Sequence, residues 1–356
     1  MSRILSIEPL STYQRQRVNN FTLLRLLLAW AVLVGHAWPI TGNGSDPLSE
    51  LTLPYTWIGH LAVSGFFAIS GYLVTASIQQ RSLSEFAVSR VLRLYPAVLV
   101  YLAISVFIIG PIASSVPVKT YLQAEPWNNF LNGWLWEWNY NLPYVFENSP
   151  RAGATNGSAW TLPVELRCYI LVFLMGFVGL FDSRLRANVA LIFLLFLLNT
   201  NYSAIPLFGH DPHFSSPLYF FVVGSLFWIN RDLILLNWPA AAILLLALCL
   251  LIPLGLNPIF RYLFPFGSSY LVFMLVYRVK FINIDRFGDI SYGIYIYAWP
   301  VQQLVWRPEQ SAMMNIALST IIVIPVAYLS WRFIEKPCLS LRNIFARKPV
   351  SRSYAS

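Results

Sequence analysis

Hydrophobic positions in this chain gather into long runs, separated by short polar stretches that hold most of its charges. A helix needs about 17–25 apolar residues to cross the roughly 30 Å hydrocarbon layer of a bilayer. Runs of that order lie at 21–39, 57–79, 91–111, 162–181, 187–205, 216–230, 236–253, 258–278, 288–306 and 311–334, with 216–230 the shortest. The pattern predicts an all-α membrane protein with about ten transmembrane helices.

Composition and charge sharpen that picture. Of the 356 residues, 57% are hydrophobic and only 11% charged, where a soluble domain carries about 25% charge. Eighteen of the 24 Lys and Arg fall on the side of the N-terminus, and four (Lys119, Arg151, Arg261, Arg307) on the other. The remaining two, Arg25 and Arg167, lie within spans. Cytoplasmic loops collect basic residues, so this split predicts that both termini are cytoplasmic. The formal charge of +9 then reads as a topology signal and an attraction to anionic lipid, and no nucleic-acid partner is expected. Cys168, Cys249 and Cys338 lack paired spacing, which implies neither a disulfide framework nor a zinc site. No small-residue cleavage site follows the first apolar run, as expected of an uncleaved helix. Residues 1–340 read as a single membrane domain and 341–356 as a basic cytoplasmic tail.

One large segment, about fifty residues from Pro111 to Trp160, lies between spans on the outer side. It carries "WNNF", "GWLWEWNY" and "NLPYVFENSPRAGATNGSAW". Such a density of Trp, Tyr and Asn fits an interfacial, re-entrant aromatic belt and equally fits stacking against sugar rings.

Ionisable residues inside apolar runs are costly and point to function. In "RLLLAWAVLVGHAW", Arg25 and His36 are eleven positions apart. At about 100° per residue they share one helix face, separated by roughly 16 Å along the axis. Arg25 falls in the cytoplasmic third and His36 in the outer third. Each alone is explained by snorkelling or interfacial wetting; the shared face favours a functional stripe. Arg90 and Arg93, three apart, share a face and serve either as positive-inside anchors or as a guanidinium pair for phosphate. Gly65, Ser70 and Gly71 suit close helix packing, or a narrow path for a thin substrate. Glu165 falls in the first turn of its helix, where a carboxylate complements the dipole. It is expected at the depth of His36, where it can orient the imidazole as a general base. His60, His210, Asp211 and His213 are also on the outer side, without a convincing metal-ligand set, and no metal is expected.

With these residues in view, the chain resembles the acyltransferase-3 family of polytopic membrane acyltransferases, nearly end to end. Arg25 and His36 match that family's first-helix arginine–ten residues–histidine motif. "GFFAISGYL" (Gly65 to Leu73) and "RVLRLYP" (Arg90 to Pro96) look like its second- and third-helix motifs. "WTLPVE" (Trp160 to Glu165) resembles its tryptophan–serine/threonine–leucine–x–x–glutamate motif. "GDISYGIYIYAWPVQQ" (Gly288 to Gln303) and "FIEKP" (Phe333 to Pro337) resemble its closing helices. Two departures stand out: Ala298 occupies a position where many members have histidine, and the closing motif has lysine for arginine. No esterase-like domain follows, so one membrane module is expected to perform the whole transfer.

The resemblance implies transfer of an acyl group, usually acetyl from acetyl-CoA, to a hydroxyl on an envelope or exported glycan such as lipopolysaccharide O-antigen or an exopolysaccharide. It implies a multi-pass protein of the bacterial inner membrane, with a lipid bilayer, an acyl-CoA donor and a glycan acceptor as partners; a homo-oligomer is compatible. His36 and Glu165 are the expected catalytic pair. Arg25, Arg90, Arg93, Tyr95 and Ser70 are expected on the donor, with Ser70 also a candidate oxyanion donor, and Trp160 and Tyr292 on the acceptor. The rival reading is a transporter or flippase, for which intramembrane charge also speaks.

Overall fold

The computed structural model describes residues 7–15, 19–52, 54–128, 141–208 and 211–342. The stretch "GWLWEWNY", the end of "WNNF", His210 and all but the first two residues of the 341–356 tail lie outside the described residues. What is described is almost wholly helical; the sheet is a two-residue antiparallel pairing of Glu8–Pro9 with Leu235–Leu236. The principal helices are α1 (Phe21–Thr41), α2 (Ile58–Gln80), α3 (Leu83–Ile104), α4 (Thr161–Phe177), α5 (Arg184–Thr200), α6 (Ser215–Ile229), α7 (Trp238–Leu251), α8 (Asn257–Arg278), α9 (Ser291–Val305) and α10 (Ala312–Ser330).

Among the described residues, five helices are long and apolar enough to cross a membrane: α1, α2, α8, α3 continued to Ala113 and α10 continued to Ser340. Both continuations pass through a π-helical turn, at Ser105–Ile109 and Trp331–Glu335. Helices α4, α5, α7 and α9 are shorter than the apolar runs suggest, whereas α6 has the length of its run. Gly179, at φ +74°, stops the run after α4. The side chains of Ser183, Asn237 and Ser311 accept a backbone N–H at the starts of α5, α7 and α10, satisfying donors that the first turn leaves open.

Helix α2 is the axis of the bundle. Fourteen of its residues are buried, whereas α7 buries only Ala241 and Leu251 and exposes Ile243, Leu245, Leu246 and Leu250. Against α6 the contact is backbone on backbone: a Cβ on Gly71 would lie 1.9 Å from the Phe221 carbonyl oxygen, and one on Gly224 would lie 2.0 Å from that of Ala68. Packing of this kind needs small residues at the crossing. Gly71 is therefore a packing residue.

Candidate active site

Five elements converge on a cavity of about 130 Å³ lined by Arg25 (α1), Ser70 (α2), Arg90 and Arg93 (α3), Glu165 and Tyr169 (α4) and Tyr292 (α9). Its organising residue is Asp289, just before α9. One carboxylate oxygen of Asp289 receives Arg25 Nη2 and Arg93 Nη2, each at 3.0 Å, and the other receives the Ser291 hydroxyl at 2.5 Å. Arg25 Nε is buried with no hydrogen-bond partner among the described residues. Arg90 differs from the other two. No carboxylate among the described residues ion-pairs with it, and its guanidinium lies over the rings of Phe86 (5.7 Å) and Tyr169 (5.4 Å). Tyr169 donates its hydroxyl to Glu165. A pocket with one uncommitted guanidinium and a bare Arg25 N–H fits an anion, and the fork geometry of arginine favours phosphate.

A second, larger cavity, about 1060 Å³, is lined by His36, Trp57, His60, Trp160, Arg167, Asp211, His213 and neighbours. His36 is buried, and its ring meets those of Trp57 and Trp299 edge to face at 5.3 and 4.9 Å. Its Nδ1 lies 2.8 Å from the Val32 carbonyl oxygen. A carbonyl only accepts, so Nδ1 carries the proton and Nε2 is left as the basic nitrogen. This fixes the tautomer a general base requires. His60 is held between the hydroxyls of Thr56 (3.1 Å) and Ser216 (2.9 Å). Trp160 stacks on Phe214 at 6.4 Å.

The two cavities share only Val63 and Tyr295 among their lining residues. Helix α4 separates them. Trp160, Pro163 and Arg167 line the histidine cavity, while Leu162, Glu165 and Tyr169 line the arginine cavity. Each set runs i, i+3, i+7, and the two sets occupy opposite faces of the helix.

This overturns the expected pairing of Glu165 with His36. Glu165 pairs with Tyr169, His36 pairs with Val32, and the two side chains share no hydrogen bond. Residues Thr155, Asn156 and Ser158 are buried before α4 begins, and Asn156 Nδ2 donates to the carbonyl of Ile296, midway along α9. The chain therefore enters the bundle as irregular backbone, which is tolerated when buried in protein. Tyr292, expected with the acceptor, lines the arginine cavity, under Arg93 and bonded to the Leu94 carbonyl at 2.9 Å. Tyr95 lines neither cavity and packs against the core of α1, α9 and α10. Ser70, Arg25, Arg90 and Arg93 come together as expected, and Trp160 lies in the histidine cavity.

Sequence reasoning missed Asp289, Tyr169, Tyr295, Trp57 and Trp299. Tyr169 is one helical turn from Glu165, a spacing that pairs side chains and was available. Asp289 sits inside "GDISYG", but its partner Arg93 is 196 positions away. Among the described residues no group of three His, Cys, Asp or Glu is placed to hold a metal ion.

The sequence pattern of a family described as "Acyltransferase domain" matches residues 18–333. The chain belongs to that family. It is a membrane O-acyltransferase, and the transporter reading falls. An "O-acetyl transferase" of Shigella phage Sf6 is 27% identical over 353 residues, covering 90% of this chain and 96% of the phage protein. "Nodulation protein 10" of Rhizobium leguminosarum bv. viciae is 26% identical, over 94% of this chain and 96% of its own length. A membrane-bound transacylase, BcsY, of Komagataeibacter xylinus is 26% identical, over 82% of this chain and 79% of its own. No solved structure matches the acyltransferase.

Proposed function

We propose that this acyltransferase moves an acetyl group from cytoplasmic acetyl-CoA to a hydroxyl of an envelope or exported glycan, lipopolysaccharide O-antigen or an exopolysaccharide, at the outer face of the bacterial inner membrane. The observation that carries the reading is the pair of adjoining cavities, one built for anions and one holding a tautomer-fixed histidine, meeting at Val63 and Tyr295. The names of the phage and Komagataeibacter relatives support acetyl as the group and a membrane as the site. All ten principal helices cross the bilayer in this reading, with both termini cytoplasmic.

The phosphates of coenzyme A sit on Arg90 and Arg25, and Arg93 is held in place by Asp289. The thioester reaches toward His36. Nε2 of His36 removes the proton of the sugar hydroxyl, and the oxygen attacks the thioester carbonyl. The C–S bond breaks, the imidazolium returns the proton to the departing thiolate, and acetylated glycan and free coenzyme A result. Trp57 and Trp160 offer the glycan stacking surfaces. Glu165 belongs among the donor-side groups.

Chemical analysis of O-acetyl groups on surface glycans, from cells with and without the gene, tests the reaction. Substituting His36→Ala removes the base, and general-base catalysis contributes about 100-fold or more. O-acetylation should fall by that order while the protein level in the membrane stays unchanged. Normal O-acetylation in the variant would overturn the reading.

A further inference from the structure

Tyr295 stands where the two cavities meet. Its hydroxyl donates to the Ser158 carbonyl at 2.7 Å and receives the Thr161 hydroxyl. Thr161 lines the arginine cavity and Ser158 the histidine cavity, so one phenol is tied to a residue of each. Both partners lie in the buried irregular chain and first turn that open α4, and the Tyr295 ring meets Phe66 of α2 edge to face at 5.9 Å. Along α2 the lining changes from one cavity to the other near Val63: Gly59, His60 and Ser64 line the histidine side, and Phe66, Phe67, Ile69 and Ser70 the arginine side.

We propose that Tyr295, latched to Thr161 and Ser158 and closing against Val63, is the partition between the donor and acceptor cavities, and that it swings aside only when the thioester arm passes. The inference rests on the proposed function. A phenol held by two hydrogen bonds can rotate at modest cost, because each such bond contributes little net. A closed partition keeps a thioester in the arginine cavity away from the water of the histidine cavity, since excluding water suppresses hydrolysis of reactive groups. Without it, water takes the place of the sugar hydroxyl: His36 accepts its proton, the oxygen attacks the carbonyl, the C–S bond breaks, and acetate and coenzyme A leave.

The test compares the full-length protein with Tyr295→Ala and Thr161→Val in proteoliposomes supplied with acetyl-CoA, with and without glycan acceptor. The parent should hydrolyse acetyl-CoA slowly when acceptor is absent. Tyr295→Ala should raise acceptor-free hydrolysis about tenfold and lower the transfer-to-hydrolysis ratio by at least as much, as loss of water exclusion requires. Thr161→Val, which keeps the side-chain volume and removes one latch, should shift the ratio the same way by a smaller factor. Adding His36→Ala to either variant should abolish the extra hydrolysis. A merely structural role for Tyr295 would lower transfer and hydrolysis together and leave their ratio unchanged, and that result in both variants overturns the partition. Parent protein that transfers nothing from acetyl-CoA overturns the proposed function instead.

Discussion

Arg90 is the cation of the arginine cavity that no carboxylate among the described residues holds, and this separates its role from those of Arg25 and Arg93. The latter two share Asp289, with side chains about a quarter exposed and the carboxylate 15% exposed. Removing one partner of a largely buried ion pair leaves uncompensated charge and costs about 3 kcal/mol or more. Asp289→Asn leaves two guanidiniums facing each other, so it should lower the melting temperature in detergent and reduce yield. Arg90→Ala removes a group held only by aromatic rings and a 3.3 Å contact to Ser89. It should leave melting nearly unchanged and raise the KM for acyl-CoA about tenfold, the value of one charge-assisted hydrogen bond, with kcat little altered. Thermal-shift measurements and steady-state kinetics on the two purified variants check both halves; equal melting temperatures would remove the distinction drawn between the arginines.

Helices α2 and α6 show what holds the site open from behind. Their crossing at Gly71 and Gly224 leaves no room for even a methyl group, the obstructing atoms being backbone carbonyls rather than pliable side chains. Gly71→Ala must push α6 away or break the crossing, and overpacking of this kind costs about 1–3 kcal/mol. Because Ser70 and Val63 line the cavities from the same helix, the displacement should also reduce transfer. Gly65→Ala provides the comparison, since its Cβ would meet only the flexible end of Leu28 at 3.0 Å. It should cost less stability in the same thermal-shift assay. At this scale the sequence was readable in one respect and opaque in another. Apolar runs reveal helices because each is a sum over about twenty residues, which no single residue can disguise. Helix ends depend on one or two residues, such as Gly179 at positive φ, and the runs hid them. The site divides the same way. Arg25, His36, Arg90 and Arg93 stood out as charge in apolar surroundings, whereas Asp289 and the burial of the chain before α4 depend on contacts between distant segments. Without those contacts Glu165 was assigned to the wrong partner.

In the proposed topology the distribution of Lys and Arg assigns the two ends of the helices to opposite sides of the membrane. Helices α4, α5, α6, α7 and α9 have 14–17 residues. At 1.5 Å per residue they fall short of a layer about 30 Å thick. The α4 segment makes up the difference with buried irregular chain before Thr161, supported by Asn156 and the Trp299 N–H bonded to the Ala154 carbonyl at 3.0 Å. Helix α7, with 14 residues and two buried, has no such supplement, and is where the ten-crossing topology is most exposed to test. Single cysteines in a background lacking Cys168, Cys249 and Cys338 report the side each loop occupies. In intact cells a membrane-impermeant maleimide should label Lys119→Cys, Arg261→Cys and Arg307→Cys, and should reach Arg186→Cys and Arg286→Cys only after permeabilisation. All five positions are exposed on the protein surface, so the reagent meets no steric barrier. If α7 fails to cross, Arg261→Cys changes sides while Lys119→Cys keeps its own, and the helices after it must run in the opposite sense. Asp289 would then be separated from Arg25 and Arg93 by the bilayer, which the two 3.0 Å ion pairs forbid. Labelling of Arg261→Cys before permeabilisation, with Arg286→Cys reached only after it, is therefore the pattern that an α7 crossing and an intact arginine cavity require together.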